Sequence, residues 1–377
     1  MRKLLGISIC AVFVLLIGCA NGQVLEDEIE SDLSTSTNKA ESTTHIIIDQ
    51  NGNEVVIPKK IKRLATGRIL PFPAVYFLAT GQTDEIVGMH PASMSAAKTS
   101  MLGKIQPGLL NANTGFIKGS EINIEELLAL ETDVVFAYGD NGHKLDVYSK
   151  AGIVPIAIRT MSIADGNSIE TLNSWLELLG SFSEEKERAQ EIIDYGRSVE
   201  QDISKALVNE GNKPRGLMIF THTDGKTVVS GKGFFGNYWL EATGAVDVAE
   251  EIKIKAPVDM EQIYTWNPEI IYISNFTDLQ PEDFYQNTIP AQDWSEINAV
   301  KNKRVHKIPL GIYRWFPPSG DSPLMLKWLA QKNHPEIFTY DFAKELGAYY
   351  EHYYDYRLSD KEIDLILHPT KLSSEGY

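Results

Sequence analysis

Arginines flanked by aromatic residues are the groups in this sequence best suited to holding a ligand. Tyr313-Arg314-Trp315 is the densest example. A guanidinium pairs with carboxylate or catecholate oxygens through a fixed fork of donors, and neighbouring rings can pack an apolar edge of the same molecule. Arg68 and Arg159 place the same cation after the strand-like runs RLATG and IVPIAI. Tyr138, Phe234-Phe235, Tyr238-Trp239 and Asn275-Phe276 occupy comparable positions after other runs. Such a set suits a flat, anionic ligand. His90 and His222 could add an imidazole, the commonest nitrogen ligand to metals, although a histidine at a strand end also occurs there as an ordinary exposed residue. Trp315 and Phe316 have a competing role as cover for a core, because aromatic side chains are commonly buried.

Covalent chemistry finds little support. Cys10 and Cys19 are the only cysteines, so the rest of the chain has no disulfide framework, thiolate zinc site or cysteine nucleophile. The sequence contains no G-x-S-x-G elbow, H-E-x-x-H pair or P-loop. Gly320-Asp321-Ser322 has a superficial likeness to an esterase signature but follows no strand directly. The 8 histidines are scattered, which argues against a bare zinc or manganese site of several protein ligands. The chain is therefore expected not to be an enzyme. A formal charge of −16 would repel phosphate backbones, so nucleic acid is not an expected partner.

The N-terminus reads as a targeting segment. Arg2 and Lys3 precede the uncharged run Leu4 to Ile17, a signal peptide by length and too short to span a bilayer. Leu16-Ile17-Gly18-Cys19 resembles the bacterial lipobox, so residues 1–18 should be removed and Cys19 should carry the lipid. The competing reading is an ordinary secretory signal with an incidental cysteine. Acyl chains on Cys19 would hold the protein at a membrane, at ~0.8 kcal/mol for each buried methylene. Residues 19–44 then form a tether, since Ser, Thr, Asp and Glu dominate it without an aromatic residue. The expected location is outside the cytoplasm, anchored to the cell membrane.

With 377 residues and 43% apolar composition, the remainder is long enough for two domains. From His45 strand-like and helical runs alternate: HIIID, EVVIP, RLATG, a helical PAVYFLATGQ, EIVGM, a helical NIEELLALE, DVVFAYG and IVPIAIR. The alternation restarts after Pro214 with GLMIFTH, TVVSG, a helical FFGNYWLEAT, a helical MEQIYTW, IIYIS and RVHKIP, then a helix near Pro323 to Gln331. Asn123 to Val135 has a counterpart in Asp259 to Ile271, each a short helix feeding a buried strand. Between the halves, Ser181 and Glu184 suggest a capping box, and apolar residues recur at helical spacing to Leu207. A helix from Glu184 to Leu207 has 24 residues and spans ~36 Å. A single large α/β domain containing that helix is the alternative.

The lipobox, the tether, the stretches NIEELLALETDVVFAYG and VDMEQIYTWNPEIIYIS, and the lone helix between them resemble, in that order, the substrate-binding lipoproteins of ABC importers for ferric siderophores, haem and cobalamin. The likeness runs from about His45 to His334. It implies an α/β fold of two Rossmann-like lobes joined by one long rigid helix, with the ligand in the cleft between lobes. It implies as ligand a ferric siderophore first, then haem, cobalamin or another corrinoid, or a nickel chelate, with His90 and His222 as candidate axial ligands and no resident cofactor. It further implies that Glu125 and Glu261, each opening the repeated helix of its lobe, dock on the permease of an ABC transporter with its partner ATPase, the protein itself being a monomer. A first-turn carboxylate is also explained by the helix dipole, worth ~0.3–1 kcal/mol.

Ligands of open α/β lobes sit beyond the carboxyl ends of the strands, which selects Arg68, His90, Tyr138, Arg159, His222, Phe235, Tyr238, Trp239, Asn275, Tyr313, Arg314 and Trp315 as cleft candidates. The expected domains are an N-terminal lobe at 45–180, a connecting helix at 181–210, a C-terminal lobe at 211–340 and a C-terminal helical extension at 341–377. A surface adhesin, or a hydrolase using Ser322, is the alternative of a different class.

Overall fold

Alternating burial sets the first element. In the antiparallel pair Thr44–Ile48 and Glu54–Pro58, Ile47, Val55 and Ile57 face inward while Ile46, Ile48 and Val56 face out, the period of two expected of a sheet covered on one side. The computed structural model describes residues 43–119, 121–140, 145–161 and 163–376. The signal segment, Cys19 and the tether as far as residue 42 lie outside the described residues.

The first lobe is built on a four-stranded, wholly parallel sheet in the order Ile86–Gly88, Leu64–Thr66, Val134–Tyr138, Pro155–Ile158. Leu64, Ala65 and Thr66 are all buried, as are Val134 to Ala137, because helices cover both faces. The second lobe carries a six-stranded mixed sheet. Its parallel core is Arg215–Thr223, Ile270–Ile273 and Val305–Lys307; Lys226–Ser230 and Lys255–Val258 add antiparallel strands, and Val246–Asp247 pairs with the start of Arg215–Thr223. Both lobes are α/β, as the resemblance implied.

Lys186–Ala206 is the long connecting helix. It buries Ala189, Ile192, Ile193, Gly196, Val199 and Ile203, one stripe at spacings of three and four. Its 21 residues span about 32 Å. One expectation is corrected here. The capping box of Ser181 and Glu184 does not form: Ser181 ends a preceding helix, Ser168–Gly180, and its hydroxyl donates to the Leu178 carbonyl at 2.7 Å. That preceding helix packs along the connecting helix, tied by Arg197, whose Nε and Nη2 donate to the two Glu170 oxygens at 3.0 and 2.8 Å. The apolar stripe of Ser168–Gly180 was legible at positions 169, 172, 176 and 179, but it merged with the connecting helix's own pattern.

The C-terminal extension is integral to the body. Phe342–Tyr354 and Asp360–Leu367 are helices, followed by a short 3-10 turn at Lys371–Ser374. Asp321, fully buried at the start of the helix Ser322–Asn333, is their anchor. It accepts from Ile312 N at 2.7 Å, Trp315 Nε1 at 2.7 Å, Tyr350 OH at 2.9 Å and Tyr354 OH at 2.9 Å. Burial raises its pKa, and these four donors pull it back. Gly311 is required beside it, since a Cβ there would lie 2.0 Å from Asp321 Oδ2. The extension also reaches the first lobe, stacking Tyr354 on Phe77 at 5.6 Å and pairing Glu362 with Lys104 at 2.5 Å. One buried cluster therefore runs from Ile47 through both lobes to Ile366, and two smaller clusters lie under the helices on the other faces of the sheets.

Candidate functional site

A cleft of about 240 Å³ opens between the lobes, and most of its walls follow strands. Arg68 to Pro71 follow Leu64–Thr66, Tyr138 ends Val134–Tyr138, and Thr160 and Met161 follow Pro155–Ile158. From the second lobe come Phe234 and Phe235 after Lys226–Ser230, Phe276 after Ile270–Ile273, and Tyr313 with Phe316 to Pro318 after Val305–Lys307. This is the position at which open α/β sheets hold ligands. A larger hollow of about 590 Å³ lies elsewhere, between the second lobe and the extension, and touches no residue of the first.

The two walls differ in chemistry. The first lobe presents the exposed Arg68 with Tyr138 and Thr160. Asp140 fixes this wall by accepting from Thr160 N at 2.7 Å, Thr160 Oγ1 at 2.9 Å and Met161 N at 3.3 Å. Burial pushes the Tyr138 hydroxyl pKa up, so it remains a neutral donor at physiological pH. The second lobe presents rings. Phe316 sits 5.5 Å from both Phe220 and Phe234, and Phe220 lies 5.2 Å from both Phe234 and Phe276, with tilted or edge-on geometry throughout. Lys255 Nζ stands over Phe220 at 4.2 Å and over Phe234 at 5.5 Å, a second cation beside the aromatic wall. The arrangement can clasp an anionic molecule that has an apolar or aromatic edge.

Arg68, Tyr138, Phe235 and Tyr313 are the expected candidates that line the cleft. The others are not among its lining residues and are engaged as follows. His90 caps the helix Pro91–Thr99, its Nδ1 accepting from Ala92 N at 3.0 Å; burial first, and Arg68 second, lower its pKa. His222 Nδ1 lies 3.1 Å from Thr227 Oγ1 on the neighbouring strand. Arg159 faces Asp140 at 3.9 Å beside the cleft, and Tyr238 donates to Glu200 of the connecting helix at 2.6 Å. Trp239 is a core residue whose Nε1 donates to the Phe316 carbonyl at 2.7 Å. Asn275 is fully buried and donates to the Ile308 carbonyl at 2.9 Å.

Tyr313-Arg314-Trp315 is divided by the fold. Trp315 is wholly buried on Asp321, so the competing core role prevails. Arg314 is equally buried, with its guanidinium over the Phe276 ring at 5.0 Å and donating to the Ser373 and Glu375 carbonyls at 3.2 and 3.0 Å. Its Nε and Nη2 thus hold the extension, while Nη1 is buried without a hydrogen-bond partner. Sequence reasoning passed over Phe220, Met161, Trp175 and Pro317-Pro318 as wall residues; Phe220 and Met161 lie inside or just past strand-like runs.

Ser322 is fully buried and its hydroxyl accepts from Ser319 N at 2.9 Å, which leaves it unsuited to attack a substrate. Glu125 and Glu261 are exposed in the first turns of the helices Ile124–Leu128 and Met260–Trp266, capped by Asn123 and Asp259 respectively. Among the described residues no helix is long and apolar enough to cross a membrane.

Two α/β lobes, a long helix between them and a lined cleft where they meet define a solute-binding protein. The sequence signature of periplasmic binding proteins matches residues 71–310, and the chain belongs to that family, whose members bind ligands rather than transform them. A periplasmic solute-binding protein from Veillonella parvula superimposes with a TM-score of 0.78 at 31% identity, covering 86% of this chain and 97% of that one. The molybdate-binding protein MolA of Haemophilus influenzae is 25% identical over 338 residues, covering 82% of this chain and 90% of its own length. An uncharacterized ABC transporter substrate-binding lipoprotein, YvrC of Bacillus subtilis, is 22% identical with the same coverage.

Proposed function

We propose that this chain is the extracytoplasmic substrate-binding lipoprotein of an ABC importer and that its cargo is an anionic metal chelate, a ferric siderophore first among them. The observation that carries the reading is the opposition of Arg68 to the ring wall of Phe220, Phe234, Phe235, Phe276 and Phe316 across one cleft. Guanidinium fork and aromatic faces match the oxygen-rich charge and apolar rim of a hydroxamate or catecholate complex. A volume of about 240 Å³ is below the ~300–1,000 Å³ of pockets that enclose a drug-sized ligand, so such a complex would be gripped at one end. Cys19 would tether the body to the membrane, and Glu125 and Glu261 would seat it on the permease, whose ATPase supplies the energy.

The small cleft also favours a second reading, a compact oxyanion such as the molybdate after which the Haemophilus relative is named. Thermal unfolding of the purified protein with ferric hydroxamates and catecholates, haemin, cobalamin, nickel-histidine and molybdate separates the two. A ligand at a hundredfold excess over its Kd adds ~2.7 kcal/mol to stability. A midpoint rise with a ferric chelate alone supports the first reading, and a rise with molybdate alone replaces it by the second. No response to any of the six would argue against both.

A further inference from the structure

Away from the cleft, where the connecting helix hands the chain to the second lobe, three side chains converge that the transport reading does not use. Glu210 follows the connecting helix, His334 ends the helix Ser322–Asn333, and Glu336 lies two residues beyond it. One ligand atom from each, an imidazole nitrogen and two carboxylate oxygens, lies within 4.8 Å of the others. His334 is only 1% exposed, and its ring orientation is set from behind. Its Nε2 lies 3.1 Å from the Gly244 carbonyl oxygen. A carbonyl can only accept, so Nε2 carries a proton, and Nδ1 is the ring atom turned towards the two carboxylates. Nδ1 stands 3.8 Å from Glu336 Oε1, beyond hydrogen-bond reach. Gly244 makes this approach feasible: it sits at a φ of +76°, and a Cβ there would come 2.7 Å from Nε2. Glu210 is held as well, its Oε1 accepting from Asn212 N at 2.6 Å.

We infer that Glu210, His334 and Glu336 form a binding site for a borderline divalent cation of the zinc, cobalt or nickel type, distinct from the interlobe cleft. A histidine whose second ring nitrogen donates to a backbone carbonyl is the arrangement that fixes tautomer and orientation in metal-bound imidazoles. The mixed nitrogen and oxygen donor set suits these cations better than magnesium or calcium, which take oxygen ligands. Ligand distances of ~2.0–2.2 Å are reached by rotating the exposed Glu336 side chain inward, and water completes the coordination. The cation would cross-link the chain leaving the connecting helix to the chain leaving the helix Ser322–Asn333.

The test is titration of the chelator-treated full chain with Zn²⁺ by calorimetry and with Co²⁺ by visible absorption. Wild type should bind one cation at this site and show the absorption of a nitrogen-ligated cobalt. Glu210→Gln and Glu336→Gln, at positions that are not buried, should each weaken binding by at least the 10- to 100-fold that loss of even an outer-shell partner costs. His334→Gln should remove the cobalt spectrum. Because that variant disturbs a buried contact, the two glutamate variants carry the decision. Wild type that fails to bind either ion, or affinity that survives both glutamate substitutions, overturns the site and leaves a plain histidine-glutamate pair. Neither result bears on ligand binding in the cleft.

Discussion

The two walls of the cleft are made from different materials. The second lobe's wall is a cluster of mutually packed phenylalanines that also belongs to the continuous core, whereas Arg68 on the first lobe's wall is exposed and set on a loop after a strand. Removing a ring from the second wall must open a cavity as well as alter the site. Removing Arg68 takes away an exposed charge, together with its influence on His90. The fold thus places shape in one lobe and charge in the other, and a ligand needing both must bridge them.

The largest effect that tests this division should come from Phe316→Ala. Phe316 is fully buried and its ring contacts the other four rings of its wall. Its loss should cost about 3–5 kcal/mol of stability in chemical unfolding. A cost below ~1 kcal/mol would mean that the ring wall is not part of the core.

Next comes the pH dependence of the second lobe. Burial, with Lys332 and Arg304 adding to it, lowers the pKa of His306 to about 3. The unfolded chain therefore binds a proton here that the folded chain refuses, so this stabilisation is complete above about pH 6.5 and is lost as pH falls towards 3. The slope is ~1.4 kcal/mol per pH unit within that window. Unfolding free energies of wild type and His306→Gln between pH 6.5 and 4.5 should diverge in slope by about this amount, and parallel curves would show that His306 does not titrate with folding.

Arg68→Ala should leave stability within ~0.5 kcal/mol, as for other surface changes. It should weaken an anionic ligand by about 10- to 100-fold, the ~1.5–3 kcal/mol of a hydrogen bond to a charged group. Fluorescence titration with the ligand found by thermal shift measures it, and a large stability loss with unchanged affinity would reverse the contrast between the walls. The smallest intrinsic effect is expected from Glu125→Ala with Glu261→Ala, which should change neither stability nor ligand affinity appreciably while lowering ligand uptake by cells. Unchanged uptake would remove both residues from the docking role.

Much of the fold was legible because its signals are local. Runs such as DVVFA and IIYIS are short, apolar and bounded by polar residues, and both became buried central strands. The spacing of Ile192, Ile193, Val199 and Ile203 announced the connecting helix, although the expected segment 181–210 runs past the observed Lys186–Ala206 at both ends. The site was legible only in part. The rule that ligands sit beyond strand ends found Arg68, Tyr138, Phe235 and Tyr313, because topology alone brings those positions to the cleft. It failed at Arg314 and Trp315, where composition offered the best ligand pair but adjacent side chains were drawn into the Asp321 and extension contacts.

By itself the sequence determined two α/β halves and a helix between them, since periodicity and composition need no partner from elsewhere in the chain. Tertiary structure alone decided which aromatic residues became wall and which became core, that residues 341 to 376 bind both lobes together, and that Glu210 meets His334. These outcomes depend on contacts between residues tens to hundreds of positions apart, for which a single sequence carries no periodic signal.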